Sequence, residues 1–562
     1  MRNGASLKRF CWLMGLWFCA ASRVGAAIYY VHPELGDDGN SGTSETAPFR
    51  TLARASKLSL HAGDTVLLAA GQKFMGQLAY DRIAGTEAAP IVFSSYPLAS
   101  GGGDQRSSID AKGYLAGVCL KNCAHVQIGN LLITADAGGM KPGQAVKKQM
   151  RCGILIQADQ SGKYEGFSVS NVVVKDVFFE EPGRVRPPGE VKTANGTQKY
   201  GWGIRFMVTA PGAVMRDISI ADCRIENVDH TGLRFTAPSD ALQHLEVQQV
   251  QITDTGGPGV QMSGVLGGHF CKLDVNRSGS SDDSRKWGRG SGLWTWGSND
   301  VVIEKSRFQN ANGPGDSCGV HIDYNCRNVI VQYNLSAHNA GGFCEILGNN
   351  YNCAYRYNVS INDGYRVKGK NGAVQEGKIF WLSGYVGDKV PRRGPFNTYF
   401  YNNTIYVGAD IVSKVAVADT AEGVLIANNI FCLKGGSQTV IGDQNRADKA
   451  AARELRNVVS ENNLYESVRS WPADAPIKDR SPFIGDPEFQ QAGEMSLEDY
   501  IPQNTRLVQK RGVRTTRLHG DEVGLAVGLN PEHDILGNPI LGLPDLGAIQ
   551  LRSAARAKTG IP

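Results

Sequence analysis

The chain has 562 residues, 41% of them hydrophobic, and a formal net charge of +5. This hydrophobic content supports a folded core, and so small a net charge excludes a global electrostatic field that attracts nucleic acid or an anionic membrane. Glycine accounts for 68 of the residues, well above its usual share of about 7%, as is typical of a fold with many tight turns.

Residues 1–26 are typical of a secretory signal peptide. Basic residues precede the apolar run Phe10–Ala20, and Val24–Ala26 has the small residues of a cleavage site. The apolar run is too short to cross a bilayer, and no later stretch is long enough to do so. We therefore expect a secreted or periplasmic protein with no membrane span; a lipid anchor through Cys19 is the weaker alternative. Removing the segment lowers the formal net charge by four, from +5 to +1.

Residues 27–90 are predicted to form an N-terminal cap and the first coils of a repeat. The strand Ile28–Val31 leads into a Gly/Asp/Asn-rich loop, and Pro48 opens a short helix near Thr51–Ser59. A further strand follows the turn Gly63–Asp64. A stack of coils exposes strand edges and core at its open end, and a cap of this kind covers them.

Residues 91–465 repeat a short unit, most regularly within residues 292–350. Each copy has a Gly-led strand of alternating residues, a turn, a second apolar strand and an Asn/Gly-rich corner. A unit this short cannot bury its own apolar face, so the copies must stack. The pattern predicts an all-β fold, a right-handed parallel β-helix. Residues 466–562 hold short apolar pieces between loops and are predicted to form the last coils and a covering tail.

The cap, from IYYVHPELGDDGN to the strand after Gly63–Asp64, and the style of the repeat resemble secreted right-handed parallel β-helix enzymes that act on polysaccharides. This pectate lyase-like group includes chondroitinase B-like lyases, alginate lyases and several glycoside hydrolase families. The resemblance implies a carbohydrate-active enzyme with a polysaccharide or oligosaccharide substrate. We expect it to act as a monomer, without a nucleic-acid partner.

Two columns of side chains define a groove on one face of the predicted sheet. Side chains alternate across a strand, so residues two and four positions after each leading glycine share a face. The first column is Leu155, Arg205, Arg234, Gln261, Trp294 and His321, and the second is Gln157, Met207, Thr236, Ser263, Trp296 and Asp323. Counting from Gly341, Glu345 joins the second column. A solvated face usually carries scattered Lys, Glu, Ser and Thr. This face instead carries two arginines, two tryptophans, a histidine and two carboxylates, so it is the expected substrate groove.

Asp323 and Glu345 are the predicted catalytic pair for glycoside hydrolysis. Strands lie about 4.8 Å apart, so the two carboxyl groups are expected about 5 to 6 Å apart, which raises one pKa and leaves one proton donor and one ionised partner. His321 is expected to orient a carboxylate or relay a proton. The sequence does not assign the roles within the pair. The residues expected to hold substrate are Trp294 and Trp296 by stacking, Arg205 and Arg234 by clamping a carboxylate or sulfate, and Gln261.

β-Elimination at a uronic acid is the rival chemistry. The segment CEILGNNYNCAYRYN at residues 344–358 resembles chondroitinase B and alginate lyases, which implies Glu345 as a calcium ligand, although Asn349 and Asn350 stand where a lysine base is expected. A hydrolase requires no cofactor and no metal, whereas a lyase has calcium held by Asp323 and Glu345. The candidate bases for a lyase are His321, Tyr324 and Lys368. A third alternative is a non-catalytic glycan-binding protein, in which losing the paired carboxylates leaves binding intact.

Three insertions precede Gly-led strands and are expected to overhang the groove. They span Glu180–Trp202, Arg277–Ser291 and Tyr365–Glu376. Their basic residues favour an acidic ligand: Arg184, Arg186, Lys192, Lys199, Arg285, Lys286, Arg289, Arg366, Lys368 and Lys370. Structural alternatives remain, since Arg205 and Arg234 could pair with Asp229 or Glu226, and Trp294 and Trp296 could be covered by the second insertion.

Two other sets of residues are interpreted as structural. Ten cysteines follow the signal peptide without metal-site spacing, so we expect small buried residues and no structural zinc, with Cys119/Cys123, Cys318/Cys326 and Cys344/Cys353 as alternative disulfides. Asparagines at one repeated corner are expected to form a ladder that satisfies backbone groups: Asn334, Asn358, Asn403, Asn429 and Asn463.

Overall fold

The structure is a computed structural model that describes residues 25–97, 106–136, 150–180, 200–279, 290–442 and 455–551. Within these ranges the chain winds through three parallel sheets in turn, so that each circuit adds one strand to each sheet. Parallel crossovers of this kind are right-handed. The predicted right-handed parallel β-helix is confirmed.

The sheets are numbered in the order in which the chain first forms their extended ladders. Sheet 1 consists of Ile28–Val31, Thr65–Ala69, Ile91–Tyr96, Val126–Gly129, Gly162–Ser170, Ala213–Ala221, Leu242–Gln248, Val265–Cys271, Asn299–Glu304, Arg327–Gln332, Ala354–Arg356, Phe396–Tyr401, Glu422–Ala427 and Arg456–Glu461. Sheet 2 consists of Lys73–Met75, Ser107–Asp110, Leu131–Ala135, Val173–Val177, Arg224–Val228, Gln251–Thr255, Asp274–Ser278, Arg307–Gln309, Leu335–Ala337, Val359–Ile361, Thr404–Val407, Ile430–Leu433, Leu464–Tyr465 and Phe483–Ile484. Sheet 3 consists of Leu78–Asp81, Ala116–Lys121, Met150–Ala158, Tyr200–Val208, Leu233–Thr236, Val260–Ser263, Leu293–Trp296, Val320–Ile322, Gly342–Ile346, Lys378–Leu382, Ser413–Val417 and Ser437–Thr439.

The inward side chains of the three sheets form a continuous core. The predicted inward residues of sheet 3 are at most 3% exposed: Ile204, Leu233, Val260, Leu293, Val320 and Ile322. Burying such a side chain contributes about 1.5 to 3 kcal/mol, so each added coil stabilises its neighbours. Glycine leads these strands because coils approach closely: at Gly232 a Cβ would lie 2.8 Å from the carbonyl oxygen of Gly259.

The predicted asparagine ladder is confirmed at the corner between sheets 1 and 2. Asn358 Nδ2 donates to Asn403 Oδ1 at 3.0 Å, and Asn403 Nδ2 donates to Asn429 Oδ1 at 3.0 Å. Each amide also donates to a main-chain carbonyl within the corner, as Asn403 does to Tyr355 at 2.9 Å. The ladder therefore satisfies buried polar groups at every turn of this half of the helix.

The two ends of the solenoid are covered by different structures. The cap contains the helix Leu52–Ala55, shorter than predicted because the hydroxyl of Ser56 accepts a hydrogen bond from Ala79 and ties the chain to the first strand of sheet 3. The tail contains a 3₁₀-helix, Leu497–Tyr500, and the helix Thr505–Val508. Its apolar residues pack on the outer faces of sheets 1 and 2.

Further expectations concern the cysteines, a membrane span and the insertions. The ten cysteines after the signal segment are free and buried, as expected. Among the described residues, no helix has the length and apolar character needed to cross a membrane. The signal-peptide prediction and most of the first two insertions lie outside the described residues. The basic residues that fall outside them are Arg184, Arg186, Lys192, Lys199, Arg285, Lys286 and Arg289.

Candidate active site

The outer face of sheet 3 carries both groove columns in the predicted register over most of their length. Each member of the first column pairs with the next, in the order Leu155, Arg205, Arg234, Gln261, Trp294 and His321. The second column runs through Gln157, Met207, Thr236, Ser263 and Trp296. Asp323 continues it beside Trp296, because its main-chain nitrogen donates to Thr295 at 2.9 Å.

The position of Glu345 differs from the prediction. Ile322 pairs with Ile346, so Glu345 lies beside His321 in the first column and not beside Asp323 in the second. The prediction that the two carboxylates share a column was therefore wrong, by two residues along the strand. The outward orientation is confirmed, since Glu345 Oε1 lies 3.5 Å from His321 Nε2 on the groove face.

The error arises because neither Gly341 nor Gly342 occupies the repeat position of the leading glycines: Cys318 pairs with Gly342, so Phe343 lies beside Gly319. The prediction counted from Gly341, but a Cβ at Gly341 would collide with the main-chain oxygen of Asp316, and one at Gly342 with that of Lys378. Gly342 also has a φ of +137°, which disfavours other residues. These glycines allow two neighbouring chain segments to approach closely, and the repeat position of the leading glycine falls on Phe343.

Both carboxylate oxygens of Asp323 accept hydrogen bonds from N–H groups. Trp294 Nε1 donates to Oδ2 at 2.7 Å, and the main-chain nitrogen of Tyr324 donates to Oδ1 at 2.8 Å. The residue is 6% exposed. Hydrogen bonds from N–H groups to both oxygens favour the charged form, so Asp323 is suited to act as a base or a nucleophile.

Glu345 has the opposite environment. It is 1% exposed, and its Oε2 accepts a hydrogen bond from the thiol of Cys318 at 3.0 Å. Burial, followed by the negative charge of Asp316, raises the pKa of Glu345 to about 8, and the charge of Asp323 adds to the effect. At neutral pH the side chain therefore holds a proton that it can donate.

Asp316 is a third carboxylate at the site that the sequence analysis missed. Its Oδ2 lies 3.8 Å from His321 Nδ1, and it is 1% exposed. Asp316 and Ser317 have φ values of +42° and +67°, a left-handed pair of non-glycine residues of the kind that concentrates at functional sites. The signal available in the sequence was the turn-rich GPGDSC directly before the strand that carries His321.

The third insertion, Tyr365–Glu376, holds Asp316 in place. Gln375 Oε1 accepts a hydrogen bond from the main-chain nitrogen of Asp316 at 2.6 Å. Arg366 donates to the carbonyl oxygens of Gln375 and Gly313, both at 2.8 Å. Arg366 is buried and supports the loop, in contrast to the expectation that it faces a ligand over the groove; Lys368 and Lys370 are exposed.

Aromatic side chains line the site at two depths. Trp294 is buried and stacks on His321, with ring centroids 5.7 Å apart and an interplanar angle of 12°. Trp296 is 42% exposed, and Tyr324 lies 5.8 Å from it in an edge-on contact. Tyr385 extends this cluster by a further edge-on contact of 5.8 Å with Tyr324. Trp294 thus fixes Asp323 and His321, while Trp296 leaves exposed an aromatic face of the kind that can stack on a sugar ring.

The polar residues predicted to hold substrate lie further along the same face. Arg205 and Gln261 are buried and Arg234 is partly exposed. Neither arginine forms an ion pair within the described ranges. The alternative partners have other contacts: Asp229 Oδ2 accepts from Gly201 at 3.3 Å, and Glu226 pairs with Arg224.

Three groups that can bind a metal ion meet at the site. One donor atom each from Asp316, His321 and Glu345 lies within 4.8 Å of the others. The positive charges of Arg366 and Lys378 act on the same carboxylates, however, and already compensate part of their charge. A divalent cation would have to compete with these two side chains.

The calcium pair expected for a lyase, Asp323 and Glu345, fits the geometry poorly. Both oxygens of Asp323 already accept hydrogen bonds from nitrogen donors. Calcium takes six to eight oxygen ligands, whereas Trp294, His321 and Cys318, which contact this pair, offer nitrogen and sulfur atoms. The donor set therefore suits proton transfer better than calcium binding.

Comparison with known proteins gives one curated relative. No protein-family model matches the chain. The chain is 26% identical to a lacto-N-biosidase of Bifidobacterium longum subsp. longum, in an alignment that covers 94% of the chain. The chain spans only 37% of the length of that relative.

Solved structures agree on the architecture. The GH136 lacto-N-biosidase from Eubacterium ramulus superposes with a TM-score of 0.52 and 17% identity over 82% of this chain and 68% of that one. XylC in complex with xylose gives a TM-score of 0.52 and 12% identity over 93% and 98% of the two chains. At these identities the likeness establishes the fold, and it confirms the predicted resemblance to parallel β-helix proteins that include carbohydrate-active enzymes.

Proposed function

We propose that the chain is a glycoside hydrolase that cleaves an oligosaccharide or polysaccharide lying along the outer face of sheet 3. Two observations carry the proposal: both oxygens of Asp323 accept hydrogen bonds from N–H groups, which favours its charged form, and the pKa of Glu345 beside His321 is raised to about 8. Hydrolysis of a glycosidic bond needs one carboxyl group of each kind. The 26% identity to a lacto-N-biosidase over nearly the whole chain supports the same reaction class.

The carboxylates have separate tasks. The buried pair Glu345 and Asp316 shares a proton, because two negative charges this close in a desolvated site are unfavourable, and supplies it to the leaving oxygen. Asp323 acts as nucleophile or as the base that activates water. His321 lies between Asp316 and Glu345, with Nδ1 and Nε2 facing one each, and keeps them in position.

Elimination is less well supported as the alternative. It requires a base at C5 of a uronate and a cation against its carboxylate, yet the site has no lysine where the lyase resemblance places one, since Asn349 and Asn350 stand there. Asn350 instead donates to the main-chain oxygen of Asp323 at 2.9 Å and braces the site.

The test is incubation of the purified chain with neutral, uronate-containing and sulfated oligosaccharides, with and without chelator. The panel includes a glycan with a terminal lacto-N-biose unit, because the relative is named lacto-N-biosidase. Reducing ends and ultraviolet absorbance are followed together. New reducing ends without absorbance are expected, while absorbance that disappears with chelator would establish calcium-assisted elimination. Binding without either signal would establish a non-catalytic glycan-binding protein.

A further inference from the structure

Two arginines stand side by side on the groove face, away from the carboxylates. Arg205 on the strand Tyr200–Val208 pairs with Arg234 on the next strand, Leu233–Thr236. Both occupy the first column, so their side chains leave the sheet on the same side. Like charges directly opposite each other on neighbouring strands are destabilising, so this arrangement needs a compensating contact.

The described residues do not supply an acidic partner. Arg205 is 5% exposed; its guanidinium lies 4.0 Å from the ring centre of Trp202, and Nη1 lies 2.9 Å from the sulfur of Met150. Arg234 Nε donates to the hydroxyl of Thr236 at 3.0 Å. Within the described part of the chain, Arg205 Nε and Arg234 Nη1 are buried without a hydrogen-bond partner. A buried donor without a partner is destabilising, and more so when it is charged.

Both arginines keep their positive charge at neutral pH, although burial and their proximity to each other disfavour it. Burial lowers the pKa of Arg205 to about 10. Burial, followed by the charge of Arg205, lowers the pKa of Arg234 to about 9. Both groups are therefore mainly protonated at neutral pH, and the pair is a fixed concentration of positive charge in a desolvated pocket.

We propose that Arg205 and Arg234 form a subsite for an anionic group of the glycan, a carboxylate or a sulfate. Planar guanidinium groups bind such oxyanions through paired hydrogen bonds, and Trp202 keeps one of the two planes fixed. The inference rests on the proposed function, because it takes the outer face of sheet 3 as the groove along which the glycan lies.

The distance from the carboxylates defines what the subsite does. Four strand steps separate Arg234 from Glu345 in the column, through Gln261, Trp294 and His321. At about 4.8 Å a step this is about 19 Å, so the charged unit is not the one whose bond is cleaved. The subsite therefore selects an acidic oligosaccharide by binding a remote unit and takes no part in proton transfer.

Direct binding tests the proposal without requiring turnover. The full chain carrying Asp323→Asn is titrated calorimetrically with three oligosaccharides of equal length: neutral, uronate-containing and sulfated. We expect at least about tenfold tighter binding of one charged ligand than of the neutral one, as for about 1.4 kcal/mol of charge-assisted hydrogen bonding. A preference for the uronate or for the sulfate identifies the anion. Equal affinity for all three would overturn the proposal.

Substitutions at the two arginines test whether these side chains cause the preference for a charged oligosaccharide. Arg205→Gln and Arg234→Gln, each added to Asp323→Asn, are expected to abolish it, and Arg234→Lys to weaken it because an ammonium cannot form the paired contact. Arg224→Gln is the control, since Arg224 is exposed on sheet 2 and pairs with Glu226. Retention of the full preference in Arg234→Gln would also overturn the subsite. If the charged ligand binds preferentially but the unsubstituted chain releases no reducing ends, the hydrolase proposal fails and the subsite stands.

Discussion

Two stacks of polar side chains run along the solenoid and differ in whether their members satisfy one another's hydrogen bonds. In the asparagine ladder, Asn358, Asn403 and Asn429 each donate to a carbonyl and to the next amide, and each accepts in turn. On sheet 3, the first column carries two adjacent arginines at one end and a protonated glutamate at the other. One stack satisfies its own hydrogen bonds, whereas the other places like charges together.

The difference shows how a repeat protein separates stability from function. Copies of one residue can satisfy each other when the side chain carries both donors and an acceptor, as a primary amide does. Arginine and glutamate offer only one kind of group when charged, so a stack of them is unfavourable unless something else binds. Under the proposed function, the groove column is arranged for a ligand, whereas the ladder stabilises the fold.

The largest effect is expected from removing the charge of Asp323. Asp323→Asn keeps the shape and the place in the column but removes the ionised oxygen, so activity should fall about a thousandfold, within the usual range for a catalytic acid or base. Initial rates of reducing-end release measure this. Asp274→Asn, at an exposed position on sheet 2, is the matched control and should retain full activity. Activity of Asp323→Asn within tenfold of the unsubstituted chain would reject the assignment.

Breaking the ladder should affect stability. Asn403→Ala leaves the main-chain nitrogen and amide of Asn358 without their acceptor and the carbonyl of Tyr355 without its donor. We expect the free energy of unfolding to fall by about 2 to 4 kcal/mol, because buried groups lose their partners. Denaturant unfolding followed by circular dichroism measures this.

The control for the ladder is a pair of the same chemistry at the surface. Asn310 Nδ2 donates to Asn276 Oδ1 at 2.9 Å in an exposed position. Asn276→Ala should change the free energy of unfolding by less than about 0.5 kcal/mol, since water replaces the lost partner. Equal losses for Asn403→Ala and Asn276→Ala would show that burial does not distinguish the two.

A smaller effect is expected at the donor to Asp323. Trp294→Phe keeps an aromatic ring against His321 but removes the N–H that donates to Oδ2. A hydrogen bond to a charged group contributes about 1.5 to 3 kcal/mol, so kcat/KM should fall about tenfold to a hundredfold. Trp296→Phe removes no hydrogen bond to the carboxylates and should change KM alone. A similar loss of kcat in both variants would argue that the indole N–H has no special role.

Much of the fold could be predicted from the sequence because the same residue pattern recurs in successive coils. The alternation of residues after Gly203 or Gly292 fixes inward and outward faces, and one correct register extends to the neighbouring coils. The same regularity placed Arg205, Arg234, Trp294 and His321 correctly in one column.

The site itself was harder to predict because it breaks the repeat. Gly341 and Gly342 serve close chain approach, so counting from them misplaced Glu345. Asp316 lies in a strained loop outside the strands, where the alternation of side chains gives no information. Its support from Arg366 and Gln375 spans distant parts of the chain and follows no periodic pattern.

The smallest expected effect concerns the pH dependence of the proton donor. Glu345 donates while it is protonated, so activity should be present below pH 8 and should fall as the pH rises through the pKa of about 8. The thiol of Cys318 donates to Oε2 and lowers that pKa by stabilising the charged form. Cys318→Ala should therefore move the alkaline limb of the kcat/KM profile upward, by less than about one pH unit. Cys318→Ser, with a stronger donor of similar size, should move it downward. A profile that moves in the same direction in both variants, or in neither, would show that the alkaline limb does not report Glu345.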